Sequence, residues 1–118
     1  MILDIADSVN GVPIRLTDER WDHIVDSHPE LASYRETILD ALENPDYILR
    51  SRRGGFAAVV VLGHGAFLHV FYVEKNRRDG FIVSAALVIR VGYRSFQQAT
   101  QDSSGLRPVA SNIPSNER

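Results

Sequence analysis

The sequence predicts an α+β domain in which two N-terminal helices pack on one face of a four-stranded, mainly antiparallel sheet. Three observations lead to this fold class. The first half of the chain has apolar residues at helical spacing, and the second half has β-branched and aromatic runs separated by glycine-rich turns. The length of 118 residues is sufficient for one domain. We expect that domain to cover residues 1–96, and residues 97–118, rich in Ser, Gln and Asn, to form a polar tail or extension.

The N-terminal half predicts one short strand and two helices. Val12–Leu16 is predicted to be extended and to lie at a sheet edge, because Pro13 lacks an N–H. A first helix is predicted from Thr17, its N-cap, to Ser27, and Pro29 ends it. A second helix is predicted from Glu30 to Glu43. Its apolar residues form one stripe: Leu31, Tyr34, Ile38, Leu39 and Leu42.

Four strands are predicted after the helices: Tyr47–Arg50, Ala57–Leu62, Phe67–Lys75 and Phe81–Arg90. Asp79-Gly80 is a signal for a type I′ hairpin turn, and that turn places Lys75 opposite Ser84 and His69 opposite Arg90. One face of this hairpin is almost entirely apolar, so we expect it to bury against the helices. The other face then carries a basic and polar set of side chains: His69, Lys75, Arg77, Ser84 and Arg90.

Charge is divided unevenly along the chain. Residues 1–49 hold three basic and eleven acidic groups, a balance of −8, whereas residues 50–94 hold eight basic and two acidic groups, a balance of +6. This asymmetry favours a polyanion as partner of the basic half, and RNA is the predicted ligand. Phe71 offers a stacking platform for a base. The alternatives are that the two halves neutralise each other within the fold and that Phe71 only packs against its neighbours.

Several function classes are excluded or disfavoured by composition. The chain has no cysteine, so it has no disulfide and no thiolate metal site. The N-terminus lacks the features of a secretory signal, and no apolar run is long enough for a membrane helix, so we expect a soluble, cytoplasmic protein with no membrane partner. His23 and His28 are five residues apart, which separates them on a helix, so no metal and no cofactor is expected.

His28 is the histidine whose position is most suggestive of function. It follows Trp21 by seven residues, on the predicted buried side of the first helix and at its C-terminal end, where the helix dipole favours imidazolium. A histidine that titrates near neutral pH is a common proton shuttle. The alternative is that His28 only caps the helix.

Two segments resemble a known family. Leu16-Thr17-Asp18-Glu19-Arg20-Trp21-Asp22-His23-Ile24, followed by Ser27-His28-Pro29-Glu30, is similar to the helical opening of phage-associated nuclease-like domains of the barnase–EndoU–colicin–RelE (BECR) superfamily. Ile38 to Asp46 is similar to the second helix and its Asn-Pro-Asp exit, and Ile82-Val83-Ser84-Ala85-Ala86 resembles the final hydroxyl-bearing strand. The resemblance covers residues 14–90, and Ser84 stands where such domains often have Thr.

The resemblance implies a metal-independent ribonuclease, either a toxin or a processing enzyme, that forms a 2′,3′-cyclic phosphate. It implies a helical histidine, His23 or His28, as catalytic residue, with Ser84 as hydrogen-bond donor. Arg90 would act with Lys75 on the developing charge, while substrate-binding roles fall to His69, Lys75, Arg50 and Arg77. His28 is the preferred base and His69 its rival. The alternative function is a non-catalytic RNA- or protein-binding module, and an acidic inhibitor or antitoxin is a second expected partner.

Overall fold

The computed structural model of the chain describes residues 1–50, 55–89 and 107–108. These residues form two α-helices, one 3₁₀-helix and a mixed sheet of six strands, to which a seventh strand of two residues adds. The elements in chain order are β1 (Ile2–Asp7), β2 (Pro13–Thr17), α1 (Asp18–Ser27), the 3₁₀-helix (Pro29–Ser33), α2 (Arg35–Glu43), β3 (Tyr47–Arg50), β4 (Gly55–Gly63), β5 (Ala66–Asn76), β6 (Asp79–Ile89) and β7 (Arg107–Pro108).

The molecule is an α+β protein, but the predicted four-stranded, mainly antiparallel sheet is wrong. The strand order is β1-β2-β6-β5-β4-β3-β7. Strands β2 and β6 run parallel, with Ile14 opposite Gly80 and Arg15 opposite Phe81, and the other neighbours are antiparallel. Two strands therefore precede the helices, and they extend the sheet beyond β6.

The hairpin of β1 and β2 accounts for this difference. β1 is absent from the predicted elements because Asp4 and Asp7 interrupt its apolar residues. Its turn contains Gly11 at φ 79°, and the Gly11 N–H donates to the Ser8 carbonyl at 2.8 Å. The predicted edge position of β2 is also wrong, since β2 lies between β1 and β6. Pro13 is the first residue of the strand, a position where a missing N–H is tolerated.

The helices follow the predicted pattern with one break. α1 begins after Thr17, whose hydroxyl accepts a hydrogen bond from the Arg20 N–H at 3.2 Å, and it ends at Ser27 as predicted. The second helix is not continuous from residue 30 to residue 43. A 3₁₀-helix begins at Pro29, and α2 begins only after Tyr34, whose ψ of 12° departs from α-helical geometry.

The main core lies between the helices and one face of the sheet. We call this the helix face; its buried strand residues are Ala6, Ile14, Leu16, Ile48, Ala58, Leu68, Val70, Tyr72, Ile82 and Ala85. The helices contribute Ile24, Leu31, Ile38, Ala41 and Leu42, all fully buried. Burial of this set is the main source of stability, because each large apolar side chain contributes about 1.5–3 kcal/mol when it is removed from water.

The opposite face of the sheet we call the distal face. Residues that alternate with the helix-face residues form it: Arg15, Tyr47, Leu49, Ala57, Val59, Phe67, His69, Phe71, Phe81, Ser84 and Ala86. Leu49, Ala57 and Val59 are buried there, and Tyr47, Phe67 and Phe71 pack against them. The distal face is therefore largely apolar.

The register of β5 and β6 differs from the prediction. The turn is at Arg77-Arg78, so that Asn76 lies opposite Asp79, and Asp79-Gly80 belong to β6. Register shifts occur between Phe71 and Tyr72 and between Glu74 and Asn76. The first shift moves Ile82, expected on the face of Ser84, to the helix face, where it is 1% exposed.

No α-helix in the described ranges combines the length and apolar composition that a membrane crossing requires.

Candidate functional site

The two histidines of the first helical region lie near the surface. His23 is exposed on α1. His28 is the C-cap residue of α1, and its backbone N–H donates to the Ile24 carbonyl at 2.8 Å. The expected burial of His28 is wrong, because its side chain is 37% exposed, with Nδ1 3.6 Å from Oε2 of Glu30. Its imidazole is therefore accessible to a ligand, and its backbone also has the capping role.

The α1 helix lies beside the strand that carries Ser84. β2 pairs with β6 only as far as Phe81, and α1, which follows β2 directly, packs against β6. Ser84 is half-buried, and its position opposite Phe71 places it on the distal face. The histidines of α1 and Ser84 thus belong to neighbouring elements, whereas α1 contributes Ile24 to the core on the helix face.

His69 and Ser84 occupy the same face of adjacent strands. His69 lies opposite Ala86, and Ser84 lies opposite Phe71, so the two residues are diagonal neighbours on the distal face. Cα atoms in this relation are typically about 7–8 Å apart, within reach of longer side chains. His69 is 9% exposed, and its ring centroid lies 6.0 Å from that of Phe71. The structure therefore brings together an imidazole, a hydroxyl and an aromatic ring.

The predicted cations do not join this group as expected. The pairings of Lys75 with Ser84 and of His69 with Arg90 are wrong, because the turn lies two residues earlier in the chain than predicted. Lys75 and Arg77 are exposed at the turn. Arg50 is exposed at the end of β3, with its guanidinium carbon 6.0 Å from the Phe56 ring centroid. Arg90 lies outside the described residues.

Arg15 is a cation of the distal face that the predicted site does not include. Its Nε and Nη2 donate to the two carboxylate oxygens of Asp79 at 2.8 and 3.0 Å, and its guanidinium carbon is 5.9 Å from the Phe81 ring centroid. Hydrogen bonds from Arg15 lower the pKa of Asp79, and the same bonds raise the pKa of Arg15. The charge of Arg15 is therefore largely balanced. Arg15 and Asp79 are far apart in the sequence, and the parallel pairing of β2 with β6 brings them together.

A second polar cluster joins the β1–β2 turn to β5. The buried hydroxyl of Ser8 donates to Oε2 of Glu74 at 2.5 Å, and Nδ2 of Asn10 donates to Oε1 at 3.1 Å. Burial, followed by the negative charge of Glu74, raises the pKa of the Tyr72 phenol above its usual range. Its hydroxyl has no hydrogen-bond partner among the described residues. These contacts position the hairpin and offer no cation to a phosphate.

A shallow groove of about 400 Å³ runs along α1. Asp22, His23, Val25, Asp26 and Pro29 line it. Two carboxylates flank His23, so this groove repels a phosphate and does not support a substrate-binding role for that face of α1. Within the described ranges, no group of three or more His, Asp and Glu side chains is arranged to hold a metal ion.

Comparison of the chain with protein-family models, with curated proteins and with solved structures finds no match to any of them.

Proposed function

We propose that the chain is a ribonuclease-like domain that binds RNA in the cytoplasm and cleaves it without a metal ion. The observation that carries this proposal is the placement of His69 and Ser84 as diagonal neighbours on the distal face, beside the Phe71 ring. The order of elements adds support, since α1, α2 and the antiparallel strands β3 to β6 follow one another as the BECR resemblance implies.

The reaction needs a base, a donor to the phosphate and a leaving group. An imidazole removes the proton of the ribose 2′-hydroxyl, and the 2′-oxygen forms a bond to the adjacent phosphorus. The bond from phosphorus to the 5′-oxygen breaks, and that oxygen takes a proton from water. The hydroxide that remains takes the proton held by the imidazolium, which restores the neutral base. Ser84 donates a hydrogen bond to a non-bridging oxygen, where charge accumulates in the transition state. The products are a 2′,3′-cyclic phosphate and a 5′-hydroxyl.

Two histidines compete for the role of base, and each has one structural advantage. His69 shares a face with Ser84 but is only 9% exposed. His28 is 37% exposed at the end of α1, the helix that packs beside β6. Separate substitution of the two histidines therefore assigns the role.

A second candidate function is a non-catalytic binding module, and the composition of the distal face favours it. The face is mainly apolar, and the charge of Arg15 is balanced by Asp79. A phosphorane intermediate requires nearby positive charge for most of its stabilisation. Exposed Lys75 and Arg77, at the β5–β6 turn, can bind a phosphate backbone without placing it in position for cleavage.

The test is incubation of the full chain with single-stranded and structured RNA in the presence of a chelator, with analysis of the product ends. The proposal expects 2′,3′-cyclic phosphate ends. Loss of the base should slow cleavage by about 10²–10⁴-fold, through either His69→Gln or His28→Ala. Ser84→Ala should slow it by about 10²-fold or more.

His64 provides the matched control. It is exposed in the β4–β5 turn at φ 53°, a conformation that Asn tolerates, so His64→Asn removes an imidazole without strain. This variant should cleave as the unmodified protein does. Salt-sensitive RNA binding without cyclic-phosphate ends would reject the ribonuclease and leave the binding module.

A further inference from the structure

Among the described strands, β1 forms one edge of the sheet. It is the first strand in the order β1-β2-β6-β5-β4-β3-β7, and no described strand lies on its outer side. At six residues it is much longer than β7 at the other edge. An edge strand presents N–H and C=O groups that can pair with another extended chain.

The features that usually protect an edge are weak in β1. Natural edges are blunted by charged side chains, above all lysine, by proline, by bulges or by short strands. Ile2–Asp7 contains neither lysine nor proline, and its charged residues are Asp4, which is paired with Arg35, and Asp7. One irregularity lies between Ile2 and Asp4, and from Asp4 to Asp7 the pairing with β2 is regular. The second half of β1 is therefore suited to accept a further strand.

Exposed apolar side chains line the same edge. Ile2 and Ile5 are 48% and 56% exposed, and their positions opposite Thr17 and Arg15 place both on the distal-face side. Met1 and Val9, at the two ends of the strand, are also exposed. An added strand with apolar residues on that side would cover them, which is the mode of β-strand addition seen in peptide recognition.

The surroundings of this edge are acidic. Asp7 is exposed on β1, and α2, which packs on β1, exposes Glu36, Asp40 and Glu43. Asp4 is held by Arg35 at 2.7 Å and is already balanced. A partner strand must therefore bring positive charge, because like charges on adjacent strands are destabilising. The same argument opposes antiparallel pairing with a second copy of β1, which would place the acidic α2 helices of the two copies on the same side of the joined sheet.

We propose that the β1 edge binds an extended peptide segment in which lysine or arginine alternates with apolar residues. The backbone of the segment pairs with β1, and its apolar side chains cover Ile2 and Ile5 on the distal-face side, where Asp7 also lies. Its cations alternate to the other side of the strand and face the acids of α2. This inference is independent of RNA cleavage. It assigns a basic protein segment, where the sequence predicted an acidic inhibitor.

The experiment uses the full chain labelled with ¹⁵N and a synthetic peptide of alternating lysine and valine. Binding should shift the amide signals of Ile2–Asp7 and protect part of them from hydrogen exchange. A lysine–proline peptide of equal charge cannot pair its backbone and should bind at least about tenfold more weakly. Shifts confined to α1 or α2, or equal affinity for the two peptides, would reject strand addition.

Two charge reversals test the position of the site. Asp7→Lys adds a lysine to the edge and should weaken binding of the lysine–valine peptide about fivefold or more. Asp26→Lys makes the same change in net charge on the exposed side of α1 and should leave the affinity nearly unchanged. Equal weakening by both variants would show general electrostatic attraction and overturn the proposal. Asp7 lies outside the groups assigned to RNA cleavage, so Asp7→Lys should leave cleavage unaltered, and loss of peptide binding is distinguished from failure of the ribonuclease proposal.

Discussion

Gly80→Ala is the substitution that most directly tests the junction of β2, β6 and β5. A Cβ atom built at residue 80 would lie 2.5 Å from the carbonyl oxygen of Val73 and 2.6 Å from Cδ1 of Ile14. Ordinary contacts of carbon with oxygen or carbon begin about 0.8–1 Å farther away. Ile14 is fully buried and Val73 belongs to a paired strand, so neither can move freely.

The expected loss of stability follows from these distances. Overpacking a close-packed core costs about 1–3 kcal/mol, and contact with a backbone atom places this case at the upper end. Replacing glycine by alanine also reduces the conformational entropy of the unfolded chain, which stabilises the folded state by about 0.4–1 kcal/mol and offsets part of the overpacking cost. We expect Gly80→Ala to lower the free energy of unfolding by about 2 kcal/mol, or Tm by about 10 °C.

Urea denaturation followed by circular dichroism measures this change, and three variants sharpen it. Gly11→Asn is the control, because a Cβ atom built at residue 11 has nothing within 4 Å and Asn tolerates a φ of 79°. This variant should change the free energy of unfolding by less than about 1 kcal/mol. Ile14→Val removes the clashing Cδ1 and should partly rescue Gly80→Ala in a double-mutant cycle. Gly80→Asn should lower the free energy of unfolding more than Gly80→Ala does, because its side chain is larger and the φ of residue 80 is not positive. If Asn is tolerated at residue 80, or if Gly80→Ala is within about 0.5 kcal/mol of the unmodified protein, the reasoning is refuted.

Two further predictions concern polar groups. Tyr72→Phe removes a buried hydroxyl without a described hydrogen-bond partner, so thermal unfolding should show stability unchanged or raised by about 1 kcal/mol; a clear loss would reveal a partner for the hydroxyl. Asp79→Asn breaks the ion pair with Arg15. The lowered pKa of Asp79 means that the pair stabilises the fold above the ordinary aspartate pKa of about 3.9, and that this contribution disappears as pH falls through the lowered value. Urea midpoints of Asp79→Asn and the unmodified protein should therefore differ at neutral pH and converge as the pH falls through the lowered pKa of Asp79; a gap that does not narrow in acid would contradict the assigned cause.

Local signals in the sequence predict the helices well. Thr17 has the side chain that an N-cap requires, and Pro29 prevents α1 from continuing, so both ends of α1 follow from neighbouring residues. The break at Tyr34 has no such signal, since the apolar stripe continues across it. Its position depends on how the 3₁₀-helix packs Leu31 into the core, which is a tertiary effect.

Glycine signals proved ambiguous in the strands. Asp79-Gly80 has the composition of a hairpin turn, yet Gly80 is needed because β2 and β5 approach it closely, and its φ is not positive. Asn10-Gly11 is the same kind of signal, and there the glycine does adopt a positive φ in a hairpin turn. Attention to that pair, despite Asp4 and Asp7, could have revealed β1.

The candidate site was predictable only in part. His69 and Ser84 share one face in the predicted register and in the observed register. The two registers differ by an even number of residues, and such a difference leaves each side chain on the same face of the sheet. The position of the cations did not survive, since it depended on the turn itself. The pairing of Arg15 with Asp79 joins distant parts of the chain, and no local pattern predicts it.

The parallel contact of β2 with β6 also determines the order in which the molecule can assemble. Ile14 reaches its partner Gly80 only after both helices and strands β3 to β5 have been synthesised. The strands β3 to β6 follow one another as sequential antiparallel neighbours, so their contacts close short loops. The hairpin of β1 and β2, which is synthesised before the rest of the sheet, must wait for β6. Its link to the sheet has the greatest sequence separation, and such links slow folding.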